Sequence, residues 1–316
     1  MRGEVGLWLL LAITAACVAP RIHEPAVAPI ELPVRLEVLV GNRVVSVPLE
    51  DYVMVTALSE VSPLGESEAT VARIFDIQTV IARTYAVRTM GRHEQKGYDF
   101  CDTTHCQLYQ PDRLRTSRFA AAVREAVQRT KGLILAYGSH AAEAVFHSDC
   151  GGTTTDAEHV WGRPVPYLLS LQDDVDESAH RTWDIRATAT QLRTALNADA
   201  RSSVGGRLDA ISIASRDPSG RAMTVSPRGE KPRTIRGEDF RSIINRALGP
   251  RALQSTRFSV AKSGQTYAFT GAGFGHGVGL CQRGAMARAR AGQALAEILT
   301  TYYPGTRLVR TGAADR

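Results

Sequence analysis

The chain has 316 residues, of which 44% are hydrophobic, 22% charged and 6% aromatic, with a formal net charge of +6. That length suits one large domain or two modest ones at about 150 residues per domain, and the composition excludes a disordered tail protein, a collagen-like repeat and a multi-span membrane protein. Only four of the 38 basic residues are lysine (Lys96, Lys131, Lys231 and Lys262); with no dense basic run or nucleic-acid-binding signature, no nucleic acid is expected as a partner.

In chain order, the first twenty residues read MRGEVGLWLLLAITAACVAP. Arg2 gives a positive start. Leu7 to Ile13 form an apolar core too short to span a bilayer and of the length of a secretory signal. Thr14, Ala15 and Ala16 lead into Cys17, and a small-residue triplet ending in cysteine resembles the bacterial lipoprotein signal. Residues 1–16 are therefore expected to be removed. Cys17 is then expected to carry a lipid anchor that holds an exported protein in the cell envelope or periplasm. Residues 17–33 contain four prolines and read as a tether. An exported chain can keep disulfides, but Cys101, Cys106, Cys150 and Cys281 are too few to scaffold a body of this size. Its core must be hydrophobic burial.

From Val34 the pattern changes. VRLEVLV and RVVSVPL flank Gly41-Asn42 and predict a β-hairpin. LEDYVMVTALSEVSP predicts a helix stopped by Pro63, and Ser117 to Thr130 an amphipathic helix capped by Ser117 and ended at Gly132. Between them, Glu66 to Met90 predicts a long helix, since Ala72, Phe75, Thr79, Ala82 and Ala86 recur at three- and four-residue steps. Residues 97–111 read as loop. GLILAYG and AEAVFHS predict a second strand pair. Residues 195–270 mix short strands (LDAISIAS, AMTVS, TYAFTG) with a helix from Glu238 to Ala247, and GAGFGHGVGLCQRGA feeds a helix running to about Tyr303. Helices interleaved with short hairpins, without internal repeats, give an α+β fold with antiparallel sheet. One folded body is expected over residues 34–310, followed by a tail at 311–316.

Four segments carry residues suited to chemistry. Glu60 ends an otherwise apolar helix. An acid held against apolar neighbours has its pKa raised by desolvation and suits a general acid near neutral pH; the plain alternative is a solvated helix-end carboxylate. Cys101-Asp-Thr-Thr-His105-Cys106, with His93 upstream, gathers zinc-type ligands. Its C-x4-C spacing is not a standard finger spacing, and a Cys101–Cys106 disulfide or two free thiols are the competing readings. Phe146-His147-Ser148-Asp149-Cys150-Gly151-Gly152-Thr153 closes a strand on paired glycines, where backbone can approach a ligand closely. Gly275-His276-Gly277-Val278-Gly279-Leu280-Cys281-Gln282 surrounds one histidine with glycine. No G-x-S-x-G elbow surrounds Ser148, which argues against a hydrolase triad with His276, and no H-E-x-x-H helix supports a zinc peptidase.

Taken together, LEDYVMVTALSEVSP, IQTVIARTYAVRTM, FCDTTHCQLYQ, FHSDCGGTT with Trp161, and GFGHGVGLCQRGAMARA stand in the order and approximate spacing of one family. About residues 34–310 resemble the stage II sporulation protein D (SpoIID) and amidase-enhancer family. The resemblance implies a SpoIID-like fold of antiparallel strands with several helices around one substrate cleft. For members that are enzymes it implies a lytic transglycosylase acting on peptidoglycan glycan strands, in some cases strands already stripped of peptide stems. Glu60 then matches the catalytic acid. Ordinary glycosidases use two carboxyls, whereas here one suffices: it protonates the glycosidic oxygen, then as base helps the muramyl 6-hydroxyl close a 1,6-anhydro ring. Asp149 is the other acid to watch in these motifs.

The same resemblance implies that Gln78, Arg83, Tyr85, His147, Ser148, Gly151, Gly152, His276 and Gln282 line the cleft. It also implies that Cys101, His105, Cys106 and His93 hold a structural zinc that braces the cleft wall. Cys150 and Cys281 stand where serine is common in the two glycine-rich motifs. If both motifs share one cleft, these cysteines face each other, as a disulfide or as two thiols. The competing function is a non-catalytic peptidoglycan-binding module that stimulates a cell-wall amidase partner, which would have no need of an acid at position 60. The segment after Glu60 departs from the family's usual E-x-P and Ala-rich helix, and a sporulation role is not carried over.

Overall fold

The computed structural model describes residues 30–176 and 180–311. The expected signal peptide, Cys17 and most of the tether lie outside the described residues, as do residues 312–316. Strands β1 (Arg35–Val40) and β2 (Arg43–Pro48) form the expected hairpin, turning through Gly41 at φ +58°, a left-handed conformation that glycine adopts without a Cβ penalty. Helix α1 (Leu49–Glu60) follows directly, with residues buried on every side, as an apolar helix of the interior must be. Its first half, Leu49 to Val55, belongs to a hydrophobic cluster under the hairpin; Ala57, Leu58 and Val61 belong to a second. The helix ends at Glu60 because Val61 turns extended and Pro63 brings no N–H.

Helix α2 (Glu68–Thr89) is capped by Ser67, whose Oγ accepts from the Thr70 N–H at 3.3 Å. After it, β3 (Phe100–Cys101) runs parallel to β1, so the Cys/His segment grows from the edge of the hairpin sheet. Short helix α3 (Arg113–Thr116) precedes α4 (Ala120–Arg129). Ser117 does not cap α4. Its Oγ accepts from the Phe119 N–H at 3.2 Å in a local turn, and the helix begins three residues beyond it.

Strand β4 (Leu133–Tyr137) pairs with β5 (His140–Ala141) on one side and with β14 (Arg307–Arg310) on the other. The expected pairing with AEAVFHS stops at Ala142, whose N–H reaches Leu135 O. The Val145 N–H then turns back onto Glu143 O, and β6 (Phe146–His147) leaves to pair in parallel with β13 (Leu280–Cys281). That short parallel bridge joins the two glycine-rich motifs across 134 residues.

Beyond α5 (Ala157–Trp161), strand β7 (Thr182–Thr188) and helix α6 (Ala189–Asn197) open a run with its own core. It continues through β8 (Leu208–Arg216), β9 (Ala222–Gly229), β10 (Ile235–Arg236), α7 (Gly237–Leu248), β11 (Phe258–Ser263) and β12 (Thr266–Ala272). Two antiparallel sheets, ordered β10-β9-β8 and β11-β12-β7, enclose Trp183, Leu192, Phe240, Phe258 and Phe269. The last predicted helix is two, α8 (Gln282–Arg290) and α9 (Leu295–Tyr302), broken at Gly292, whose φ of +78° a helix cannot hold. The fold is α+β, as expected. Among the described residues, no helix is long and apolar enough to cross a membrane.

Candidate active site

Glu60 is the last residue of α1, and its side chain remains partly exposed. Its Oε1 accepts the Leu108 N–H at 2.6 Å, while the preceding Ser59 Oγ accepts the Gln110 N–H at 3.1 Å. Two consecutive side chains at the helix end thus hold residues 108–110. Burial pushes the Glu60 carboxyl up from 4.5 to about 7, against the smaller downward pull of the Leu108 N–H. A carboxyl with that pKa is about half protonated at neutral pH, which poises it for both proton donation and acceptance.

The segment that supplies Leu108 also supplies the Cys/His loop. Cys101 and Cys106 Sγ stand 3.5 Å apart, unbonded. His105 Nδ1 lies 3.8 Å from Cys101 Sγ and 3.6 Å from Cys106 Sγ, and His93 Nε2 lies 3.3 Å from Cys106 Sγ. These four side chains could hold a metal ion, since one donor atom from each lies within 4.8 Å of every other. The loop is fixed to its surroundings by Asp102, whose Oδ2 accepts the Gly41 N–H at 2.9 Å and whose carbonyl accepts the Tyr109 N–H at 3.0 Å.

Gln78 on α2 and Gln282 at the start of α8 meet: Gln282 Nε2 donates to Gln78 Oε1 at 3.2 Å. Both line a small hollow with Val61, the residue after Glu60, and Gln78 Nε2 is buried there without a protein partner. Arg83 is not brought to this place. Its guanidinium is fully buried and donates to both Glu50 oxygens at 2.9 and 2.6 Å and to Leu133 O at 3.0 Å. Glu50 and Glu60 sit at opposite ends of α1, ten residues or about 15 Å apart along the axis, so this ion pair anchors Arg83 at the hairpin end of the helix. Tyr85 lies in the hairpin cluster near Phe100, with ring centroids 6.4 Å apart, and its hydroxyl accepts from Arg92 Nη1 at 3.4 Å.

The two glycine-rich turns lie against each other. Asp149 and Phe274 exchange backbone hydrogen bonds at 3.0 and 2.8 Å, and the Cys150 N–H reaches Cys281 Sγ at 3.2 Å. The expectation that the two cysteines face each other holds, with both sulfurs free. Gly273 makes the close approach possible: it has φ +80°, and a Cβ there would stand 2.7 Å from Asp149 O. Gly151 and Gly152 also hold positive φ, and Ser148 is exposed.

His276 is held by backbone on both sides. Its Nε2–H donates to Phe146 O and its Nδ1 accepts the Val278 N–H, each at 3.0 Å. Burial pushes its pKa well below the usual imidazole value, so it is a neutral, fixed ring packed 5.3 Å from the Trp161 ring centre. His147 is buried, with Nδ1 3.1 Å from Val278 O. The hydrogen bonds of these two histidines thus go to the turns and not to Glu60. Asp149 is fully buried: Oδ1 faces His180 Nδ1 at 2.7 Å and the Gly151 N–H at 2.8 Å, and Oδ2 takes the Arg181 N–H at 2.8 Å. His180 was not singled out in the sequence, where it stands in SAHRTWD with no patterned neighbour to mark it.

With this geometry in view, the comparisons with known proteins agree in direction. Residues 41–137 match the family described as Stage II sporulation protein (SpoIID), and residues 158–279 match a domain of unknown function (DUF8618). The chain is 29% identical over 300 residues to stage II sporulation protein D of Bacillus subtilis (strain 168), covering 90% of this chain and 81% of that protein. It is 32% identical over 267 residues to an uncharacterized protein of Brachyspira hyodysenteriae (strain ATCC 49526 / WA1), covering 83% of this chain and 66% of that protein. Over 274 residues it is 28% identical to the amidase enhancer of Bacillus subtilis (strain 168), covering 73% of this chain but only 37% of the enhancer. Residues 41–137 are thus a domain of the SpoIID family, and the chain is similar along most of its length to stage II sporulation protein D.

Proposed function

We propose that this chain is a lytic transglycosylase that cleaves peptidoglycan glycan strands and leaves 1,6-anhydro-muramyl ends. The observation that carries the reading is the Glu60 carboxyl, reachable from solvent yet desolvated enough to titrate at about 7. The Leu108 N–H occupies Oε1, which leaves Oε2 to carry the proton. That proton passes to the glycosidic oxygen as the bond from the muramyl C1 breaks and the leaving sugar departs as an alcohol. The muramyl 6-hydroxyl then bonds to C1 and gives its proton to Oε2, which restores the acid without consuming water. A hydrolytic mechanism needs a second carboxyl. Asp149 is not free for that role, being buried and held by His180 and two backbone amides. Gln78 and Gln282 beside Val61, with Ser148, Gly151 and Gly152 on the turns, supply polar groups for sugar hydroxyls.

In the same reading Cys101, His105, Cys106 and His93 hold a structural zinc. Bonds of about 2.3 Å to sulfur and 2.0–2.1 Å to nitrogen, arranged tetrahedrally, set sulfurs about 3.8 Å apart and sulfur from nitrogen about 3.6 Å. The observed separations of 3.3 to 3.8 Å fit that arrangement. Such an ion stiffens the loop two residues before Leu108 and takes no part in the reaction. Residues 34–310 form the catalytic body on this view, and Cys17 is its lipid anchor in the envelope.

The test is to incubate the purified chain with intact and with peptide-stripped glycan and to analyse the ends by mass spectrometry. Anhydro-muramyl ends from either substrate support the proposal. The similarity to an amidase enhancer gives the second reading, a binding module for a cell-wall amidase. No new ends, together with faster cleavage of peptide stems when an amidase is added, would favour it.

A further inference from the structure

Where the two glycine-rich turns close, a second set of metal-type donors is buried. Asp149, Cys150, His180 and Cys281 each bring one donor atom within 4.8 Å of all the others. They come from three stretches of chain, at 149–150, 180 and 281, and no disulfide joins the two sulfurs. Asp149 and both cysteines are fully buried, and the His180 side chain is 8% exposed. We propose that these four residues form a second metal centre, for a thiophilic divalent ion of the zinc class, distinct from the Cys101–Cys106 loop and independent of Glu60.

Four features of the surroundings point to an ion rather than to packing. First, the donor set of two sulfurs, an imidazole and a carboxylate suits a closed four-coordinate zinc-type site. Second, both sulfurs sit in cradles of amide donors. Cys281 is the N-cap of α8, and its Sγ accepts the Gly284 N–H at 3.3 Å and the Cys150 N–H at 3.2 Å. Cys150 Sγ accepts the Gly152 N–H at 3.3 Å. Such N–H groups stabilise thiolate ligands, and outer partners of this kind hold and tune metal sites. Third, His180 turns Nδ1 to the cluster, 2.7 Å from Asp149 Oδ1 and 3.9 Å from Cys150 Sγ, while its Nε2 is buried with no partner among the described residues. The Nε2 of His147, which lies across the β6–β13 pair from Cys281, is buried and unpartnered too. Buried polar atoms without a protein partner call for an explanation, and an ion beside two thiols and a carboxylate supplies one. Fourth, two thiolates, one carboxylate and a divalent cation leave one net negative charge. Arg221 is buried beside them, donating Nη2 to Cys150 O at 2.8 Å.

The site would lock the turn that follows β6 to the N-terminus of α8, the element that carries Gln282. The test counts metal on the full chain by native and inductively coupled plasma mass spectrometry after zinc loading and dialysis. Two zinc ions per chain are expected. One should remain in Cys101→Ser/Cys106→Ser, and one in Cys281→Ser. If the first loop does not bind zinc, the wild type holds one ion, kept in Cys101→Ser/Cys106→Ser and lost in Cys281→Ser; this pattern still supports the second centre. Should Cys281→Ser fail to fold, Asp149→Asn decides. It retains both thiols, and competition with a chromophoric chelator should show zinc bound about 10–100-fold more weakly. With cobalt(II) in the Cys101→Ser/Cys106→Ser chain, thiolate-to-metal charge-transfer absorption should appear and fall by half in Cys150→Ser. A folded wild type with no more than one zinc that survives Cys281→Ser, a Cys150–Cys281 disulfide in the non-reduced peptide map, or unchanged affinity in Asp149→Asn would each overturn the proposal.

Discussion

Replacing Glu60 with glutamine is expected to abolish cleavage and, above neutral pH, to make the protein more stable. The carboxyl titrates at about 7 in the fold against an ordinary value of 4.5, a displacement that corresponds to about 3 kcal/mol. The sign follows from which state holds the proton more tightly. With its pKa raised in the fold, Glu60 contributes its full stability below about pH 4.5 and loses it as pH rises through about 7. Glutamine does not titrate and keeps an oxygen for the Leu108 N–H. Urea unfolding of both proteins from pH 3.5 to pH 8.5 should therefore give curves that converge below about pH 4.5. By pH 8.5 they should separate by up to about 3 kcal/mol in favour of Glu60→Gln, since the titration of every other group cancels in the difference. Cleavage of glycan should fall by at least about 10²–10⁴-fold, the usual worth of a general acid–base group. A stability difference that stays flat across this range would mean that Glu60 is an ordinary solvated carboxylate. Activity within tenfold of wild type would remove it from the reaction.

Four further outcomes follow from the same geometry. The kcat/KM for glycan cleavage should fall about tenfold per pH unit above about pH 7, as Glu60 loses its proton; a profile flat from pH 6 to 9 contradicts that. Arg83→Met leaves the Glu50 carboxylate without its partner and should cost about 3 kcal/mol in urea unfolding, at the low end for a buried pair because Glu50 is 27% exposed. KM per folded molecule should stay unchanged, and a raised KM would restore Arg83 to the cleft. Chelation or Cys106→Ser should lower the melting temperature, with activity lost only in step with folding, and chelator-resistant stability speaks against zinc in that loop. Gly273→Ala should destabilise by about 2 kcal/mol or more, through its left-handed backbone and the contact with Asp149 O, as thermal unfolding will show.

What the sequence displays and what it conceals divide along contact distance. The hairpin at Gly41, the long α2 and the apolar α1 ending at Glu60 are set by local pattern, and each forms where periodicity and stop signals place it. The pairing of β6 with β13 is a contact across 134 residues, and no property of Phe146 or His147 announces it. Ser117 looks like a cap because serine usually is one, but its hydroxyl finds the Phe119 N–H first. His180 has no motif around it; only the fold sets it against Asp149. Arg83 shows the converse failure, a residue inside a recognisable motif whose charge is taken up by Glu50 in the core.

That ion pair bears on the chemistry at the far end of the same helix. A guanidinium within reach of Glu60 would favour its carboxylate and draw the pKa down by about 1–3 units, leaving too little acid at neutral pH to protonate a glycosidic oxygen. Glu50 holds Arg83 a full helix length from Glu60, at the hairpin end of α1. At the other end, the carboxyl meets one neutral amide donor, the Leu108 N–H, on a segment tied down by Ser59, Asp102 and the Cys/His group. One hydrogen bond orients the acid without outweighing desolvation, so orientation and a pKa near 7 coexist. A second donor or a nearby cation would improve the first at the expense of the second. On the proposed reading, the apolar stretch of α1 before Glu60 is therefore a functional feature as much as a packing one: it separates the Arg83–Glu50 ion pair from the glutamate that must be able to hold a proton.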